Sequence, residues 1–362
     1  LVESAGIEVC CSFHNLEPEP LLFAMNPFLL NSLLFLAGFV FLTGGAEFLV
    51  RGASRFAVRL NVPLVVIGLT VVAFGTSLPE LMVSLIANLE GGATADISIG
   101  NVVGSNIANL ALILGLMAFL RPVSVERKLL RREYPLMLAV TLGFWAMAWD
   151  GVINRIEGVL LFLGLLGFTF YSYTSSRSLP EDEQSEALDY VEDVLEANKG
   201  VAYTALFRDL SFVLIGIIGL LFGANWLVDS ATFFAKAFGI SELVIGLTVV
   251  ALGTSLPELA TSVVAILRKE GDIALGNLVG SNLFNILAIV GITAIVKPLP
   301  APLAMRLFDF PIMLVVSILP LLLVLRRPHK MVRWHGAVML LLYLLYNGWI
   351  LVVGSPGTFP AG

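Results

Sequence analysis

Thirteen residues of this chain occur twice. Residues 68–80 read GLTVVAFGTSLPE and residues 246–258 read GLTVVALGTSLPE, identical at twelve of thirteen positions. A second pair, GNVVGSNIAN at 100–109 and GNLVGSNLFN at 276–285, agrees at seven of ten. The offsets are 178 and 176, so the two copies differ by two residues between their motifs. Weaker similarity links GGAEFLVRGAS at 44–54 to FGANWLVDSAT at 222–232. A chain with this self-similarity is built from two copies of one unit.

Each copy is strongly apolar. Hydrophobic residues make up 58% of the 362-residue chain and charged residues 13%, against ordinary values of roughly 45–50% and about 25%. The mean hydropathy is +0.93. This composition excludes a soluble, disordered or collagen-like chain and a nucleic-acid binder. It indicates an all-α membrane protein. Ten segments approach the roughly 20 apolar residues a span requires: 27–50, 63–89, 97–120, 134–149, 157–174, 210–230, 243–267, 273–296, 310–325 and 335–354, the ninth being short. Five spans separate corresponding points. Five is odd, so the second copy crosses in the opposite direction. Inverted repeats are an architecture of secondary transporters, with the substrate site near the midplane. A duplicated packing motif with no site is the plainer alternative.

Positive charge sets the orientation. With the N-terminus outside, the inner loops hold seventeen Lys and Arg residues and the outer loops four. Both termini are therefore expected outside and the loop 175–209 inside. That loop carries nine acids against three bases, which equals the net charge of −6 for the whole chain. It lacks a spaced calcium-loop pattern and reads more simply as a solvated amphipathic stretch than as a regulatory calcium site. The expected organisation is a polar leader at 1–26, a five-helix membrane repeat at 27–174, the acidic loop at 175–209, a second five-helix repeat at 210–354 and a tail at 355–362. The leader is acidic and lacks the basic start of a secretory signal; Met25 is a candidate initiator. The adjacent Cys10 and Cys11 fit neither a metal spacing nor a disulfide framework.

The motifs put expensive chemistry inside apolar segments. Glu80 and Glu258 lie within spans, where an ionised carboxylate must face a cavity or a cation. The inverted repeat sets them opposite each other, a site of charge −2; a protonated Glu bonding a neighbouring helix is the simpler alternative for either one alone. Pro79 and Pro257 each remove a backbone hydrogen bond, freeing carbonyls around 73–76 and 251–254 that need a partner in a bilayer. Thr76, Ser77, Thr254 and Ser255 add hydroxyls within a turn of each Glu. Ser105 and Asn109 are four apart and share a helix face, as do Ser281 and Asn285. These four read as ligands, and Gly100, Gly104, Gly276 and Gly280 as close-packing positions. Polar glue between helices remains an equal reading for Asn101, Asn106, Asn277 and Asn282. Glu47, four residues before Arg51, reads as half of a helix-end ion pair, and Asp229 as a solvated residue near a span end.

All these donor atoms are oxygens, and none of the repeat spans holds Cys or His. That set suits a hard cation, calcium or sodium, and disfavours zinc and copper. No cofactor is called for; the ions are cargo. No nucleophile–base pair or nucleotide motif points to an enzyme.

GTSLPE in both halves, each followed by GN-x-VGSN, resembles the alpha-repeats of the cation/calcium exchanger superfamily, the sodium/calcium exchangers and their relatives. The match covers roughly 65–115 and 243–291, and the ten-span layout extends it to most of the chain. The resemblance implies ten helices in two inverted five-helix halves and sodium-driven calcium extrusion by alternating access, three sodium ions for one calcium. It implies ion ligands at Glu80, Glu258, Thr76, Ser77, Thr254 and Ser255, backbone carbonyls from Ala73 and Ala251, and Ser105, Asn109 and Ser281 completing the cluster. Asn285 departs from potassium-dependent members, which place Asp there; two acids rather than three argue against potassium co-transport. Proton/calcium exchangers usually carry GN-x-x-E in place of GTSLPE. A proton- or potassium-coupled exchanger on the same fold is the second reading, and a channel or scaffold a third. Spans one and six are the candidate gate. The expected location is a prokaryotic inner membrane, with sodium, calcium and lipid as partners, no nucleic acid, and an oligomeric state the sequence leaves open.

Overall fold

The computed structural model describes residues 26–59, 64–90, 95–127, 129–176, 202–238, 251–324 and 329–353. The expectations for the leader, for most of the acidic loop, for 243–250 and for the tail lie outside these. The described chain is helical almost throughout. In order come α1 (Pro27–Arg59), α2 (64–76), α3 (Leu78–Glu90), α4 (95–120), α5 (129–150), α6 (Arg155–Ser176), α7 (Ala202–Ala237), α8 (Ala251–Thr254), α9 (Leu256–Leu267), α10 (271–296), α11 (Leu303–Leu307), α12 (Asp309–Val324) and α13 (Arg333–Val353). Among the described residues six helices are long and apolar enough to cross a membrane, or seven if α2 and α3, bent by 51°, count as one span. Leu256–Leu267 is apolar but shorter.

Helix ends differ from the hydropathy boundaries where tertiary contacts hold them. The first span was expected to end at 50, yet α1 runs to Arg59 and carries Arg51, Arg55 and Arg59 as helix, not loop. α7 starts at Ala202, inside the stretch assigned to the acidic loop, and ends at Ala237 rather than 230. Asp229 is exposed, but eight residues from the helix end. Ion pairs explain the extensions. Arg59 bonds the buried Asp209, and Arg51 meets Glu47 at 2.5 Å. The expected Glu47–Arg51 pair is therefore present, and Arg268 joins it from the other repeat.

α1 and α7 lie side by side along most of their length. Glycines make this possible. A Cβ at Gly45 would come within 2.6 Å of Leu220 N, and one at Gly216 within 2.5 Å of Leu49 N. At these glycines no side chain keeps the helices apart, so the backbones come close.

Two short strand pairs join the repeats. β1 (Val123–Ser124) pairs antiparallel with β4 (Lys330–Met331), and β2 (Val152–Ile153) with β3 (Leu299–Pro300). The contacts sort by end of the bundle. Glu47–Arg268, Ser54–Glu270, Arg59–Asp209 and β1–β4 share one end. Asn88 to the Lys297 carbonyl (2.7 Å), Arg306 to the Trp149 carbonyl and β2–β3 share the other.

Candidate ion-binding site

The sequence motif breaks each helix in the same way. Proline has no N–H and a fixed φ, so it is tolerated in the first turn of a helix and disfavoured inside one. The chain therefore stops and restarts one residue before it. Ser77 sits at the break with φ −86° and ψ 8°, and Ser255 with φ −87° and ψ 4°. Pro79 and Pro257 then occupy the second position of α3 and α9. Glu80 and Glu258 fall in the first turns of these helices. This corrects their expected position deep within continuous helices. A helix N-terminus carries positive partial charge, which favours an anion there.

The break loosens fewer carbonyls than expected. Ala73 O still accepts the Ser77 amide at 3.0 Å and lies 3.3 Å from the Thr76 hydroxyl, so the break does not leave it without a partner. Ala251 opens α8.

Both carboxylates are buried, each 1% exposed. They lie close enough for their charges to interact. Each is met by the other repeat. Ser77 Oγ donates to Glu258 Oε1 at 3.0 Å, and Ser255 stands beside Glu80. Thr76 and Ser281 also stand beside Glu258.

The two GN-x-VGSN helices, α4 and α10, supply the rest. Asn109 lies in the wide π-turn Ala108–Ile113 of α4, and Asn285 in Asn285–Val290 of α10. π-turns of this kind concentrate at functional sites. Asn109 Nδ2 donates to Asn282 Oδ1 at 3.1 Å, and Asn285 Nδ2 to Asn106 Oδ1 at 3.1 Å. Thr76 Oγ1 lies 3.2 Å from Asn277 Oδ1, and Thr254 Oγ1 3.5 Å from Asn101 Oδ1. Asn101 Nδ2 reaches Ser84 Oγ at 2.9 Å, and Asn277 Nδ2 reaches Ser262 Oγ at 3.1 Å. The glue reading of these four asparagines is therefore correct as far as it goes: all bind other side chains. Ser105 is buried on α4.

What remains is a set of buried oxygens without a hydrogen-bond partner among the described residues: Glu80 Oε2, Glu258 Oε2, Asn109 Oδ1, Asn285 Oδ1, Ser255 Oγ and Ser281 Oγ. Unsatisfied buried polar atoms are rare and costly. Here they come from both repeats, bear two acids, and are all hard donors. That is the donor chemistry a calcium or sodium ion takes as cargo. Among the described residues no group of three His, Cys, Asp or Glu side chains forms a metal cluster, so backbone, hydroxyl and amide oxygens must do much of the work.

Close helix crossing positions the set. α10 lies across α2, and a Cβ at Gly280 would come within 2.7 Å of Leu69 Cα. The close-packing role expected of Gly280 holds. Gly104 meets nothing within 4 Å among the described residues, and Gly100 meets only the flexible tip of Met305. Sequence reasoning did not single out Met137 and Met313, which accept hydrogen bonds from Asn282 and Asn106. They lie 176 residues apart, the offset of the second motif pair, and that spacing was the available signal.

Fold and candidate site together fit a membrane protein with a buried, oxygen-rich cluster between two repeats. Comparison with known proteins agrees. The chain belongs to the sodium/calcium exchanger protein family, whose model matches residues 30–174 and 209–352. It is 37% identical over 313 residues to the inner membrane protein YrbG of Escherichia coli, covering 86% of this chain and 94% of that one. It is 32% identical over 342 residues to the sodium/calcium exchanger MaX1 of Methanosarcina acetivorans, covering 87% and 97%. A solved structure of the sodium-calcium exchanger NCX_Mj, soaked with 10 mM Na+ and zero Ca2+, superposes with a TM-score of 0.75 at 32% identity, covering 89% of this chain and 99% of that one. The family is one of membrane antiporters, not enzymes.

Proposed function

We propose that the chain exchanges sodium for calcium across a prokaryotic inner membrane by alternating access. The observation that carries this is the pairing of Glu80 and Glu258, buried and close together, one from each repeat, with orphaned oxygens around them. One calcium ion neutralises both carboxylates. Sodium ions bind overlapping oxygens, so calcium and sodium cannot occupy the cluster together. The ligands are Glu80, Glu258, Thr76, Ser77, Thr254, Ser255, Ser105, Asn109, Ser281 and Asn285, with the carbonyls of Ala73 and Ala251.

Ten spans in two inverted halves, both termini outside, support alternating access. The segregation of inter-repeat contacts to two ends favours that topology. β1–β4 joins two loops that ten spans place inside, and β2–β3 joins two loops they place outside. Tight α1–α7 packing suits a gate that moves as one piece. With three sodium ions per calcium, one net charge moves per cycle, and about 100 mV then contributes roughly 2.3 kcal/mol.

The test is calcium-45 uptake into proteoliposomes. Sodium-loaded vesicles in sodium-free medium should accumulate calcium; potassium-loaded and acid-loaded vesicles should not. Equal uptake driven by protons or requiring potassium would overturn the sodium assignment.

A further inference from the structure

An asparagine offers a cation either an oxygen or an NH2 group, and only one of these is a ligand. Asn109 Oδ1 and Asn285 Oδ1 are buried without a hydrogen-bond partner among the described residues, while their NH2 groups are taken by Asn282 and Asn106. Reversed, each would offer donors in place of the free oxygen and oppose a cation. Some neighbour must choose the orientation. We propose that Asn282 and Asn106, each backed by a methionine sulfur, are positioning residues that lock the ligand amides oxygen-inward. This rests on reading the Glu80–Glu258 cluster as the ion site.

The geometry gives the order of control. Asn282 Nδ2 lies 3.7 Å from Met137 Sδ, and Asn106 Nδ2 lies 3.8 Å from Met313 Sδ. A thioether has no proton, so it can only accept. It therefore holds the NH2 end of its asparagine. The oxygen end must then face the next amide, where it accepts from Asn109 or Asn285 at 3.1 Å. With their NH2 groups occupied, those two residues present oxygen to the site. Reversing Asn282 would place two acceptors, Oδ1 and Sδ, against each other and leave Asn109 facing a donor.

The two relays are copies. Met137 on α5, Asn282 on α10 and Asn109 on α4 form one. Met313 on α12, Asn106 on α4 and Asn285 on α10 form the other. In each, the asparagine between sulfur and ligand belongs to the opposite repeat. All four asparagines are buried, between 1% and 2% exposed, so water is poorly placed to substitute for a lost partner.

Partners that orient a ligand without touching the ion typically change affinity by about 10–100-fold when removed. Leu lacks any acceptor; a buried neutral Asp keeps one oxygen to accept from the Asn109 or Asn285 NH2 and one O–H to face the sulfur. The experiment is equilibrium calcium-45 binding to purified protein in detergent, beside initial uptake rates in sodium-loaded proteoliposomes. Asn282→Leu and Asn106→Leu should each raise the calcium Kd about tenfold or more, and raise KM with it, while the maximal rate changes little. Asn282→Asp and Asn106→Asp should bring Kd back to within about threefold of wild type. Glue between helices would instead lower the melting temperature and maximal rate and leave Kd alone. A wild-type Kd in the Leu variants, or an equal loss in the Asp variants, overturns the relay. Should the Leu variants not fold, the Met137→Leu/Met313→Leu double variant carries the test: unchanged Kd there removes the sulfurs from the account. Wild-type protein that binds calcium no better than Glu258→Gln refutes the site itself, which is a separate failure.

Discussion

The two repeats agree in the asparagine relays and in the glycine seam, and part company in the charged residues of α1 and α7. Corresponding contacts are 3.1 and 3.1 Å for the asparagine pairs and 3.7 and 3.8 Å for the sulfurs. In the seam, a Cβ at Gly45 would come within 2.6 Å of Leu220 N and one at Gly223 within 2.4 Å of Leu42 N. Glu47 and Arg51 of α1 correspond to Asn225 and Asp229 of α7. Glu47 ties α1 to Arg268 of the second repeat, whereas Asn225 and Asp229 are exposed. On the proposed function, symmetry is kept where both halves would grip one ion and broken where the two ends of the candidate gate would be held. A carrier needs ends that can be held unequally, or it would have no preferred closed side.

Four changes would break or sharpen this contrast. The largest effect belongs to the shared site. Glu80→Gln or Glu258→Gln keeps the shape but removes half the charge, and each should reduce calcium uptake on the order of a hundredfold or more, because a buried doubly charged ion is left half compensated. Equal losses support one shared site; a loss in only one variant breaks the symmetry claim.

Next is the α1–α7 seam. Gly216→Leu inserts a side chain where a Cβ already meets the Leu49 backbone. Overpacking of this kind costs about 1–3 kcal/mol or more, read as a lower melting temperature in detergent. Gly44, one residue from the seam glycine Gly45, has nothing within 4 Å among the described residues. Gly44→Ala should be neutral or stabilising by up to about 1 kcal/mol.

Smaller is the Glu47–Arg268 clamp. Ion pairs this exposed are worth about 0–1 kcal/mol. Arg268→Ala should therefore shift the balance between gate states by no more than about fivefold, seen as altered labelling of a cysteine placed at the same end of the bundle. No shift would mean the clamp only trims the helix end.

The smallest effect concerns Glu270. Burial raises its carboxyl above the usual range, against the opposing pull of Ser54 and Arg268. Ser54 Oγ donates to Glu270 and also lies 2.8 Å from the Val50 carbonyl, so its one proton is shared between two acceptors. A group whose folded pKa is raised contributes stability below its unfolded pKa and loses it as pH rises through the folded value. The clamp end should weaken as pH climbs from about 4.5 toward neutrality, and Glu270→Gln should flatten that dependence in a melting curve.

Much of this was legible in the sequence because the repeat carries it twice. The two-copy layout, the two buried acids and the hydroxyls beside them follow from GTSLPE and GN-x-VGSN. Three things were not. Helix ends at Arg59 and Ala202 depend on the Arg59–Asp209 pair and the glycine seam, which hydropathy does not see. The restart at Leu78 and Leu256 turns a kink into a break, moving each Glu to a helix start. The role of Asn106 and Asn282 depends on which atom faces which neighbour, and a sequence does not record amide orientation.

The central claim is that two inverted repeats build one calcium site from one glutamate each. Equilibrium calcium-45 binding to purified protein tests it most directly. The account predicts one calcium per chain, displaced by sodium, and lost in full by Glu80→Gln and by Glu258→Gln separately. Two calcium ions per chain, with each substitution removing one, would contradict it.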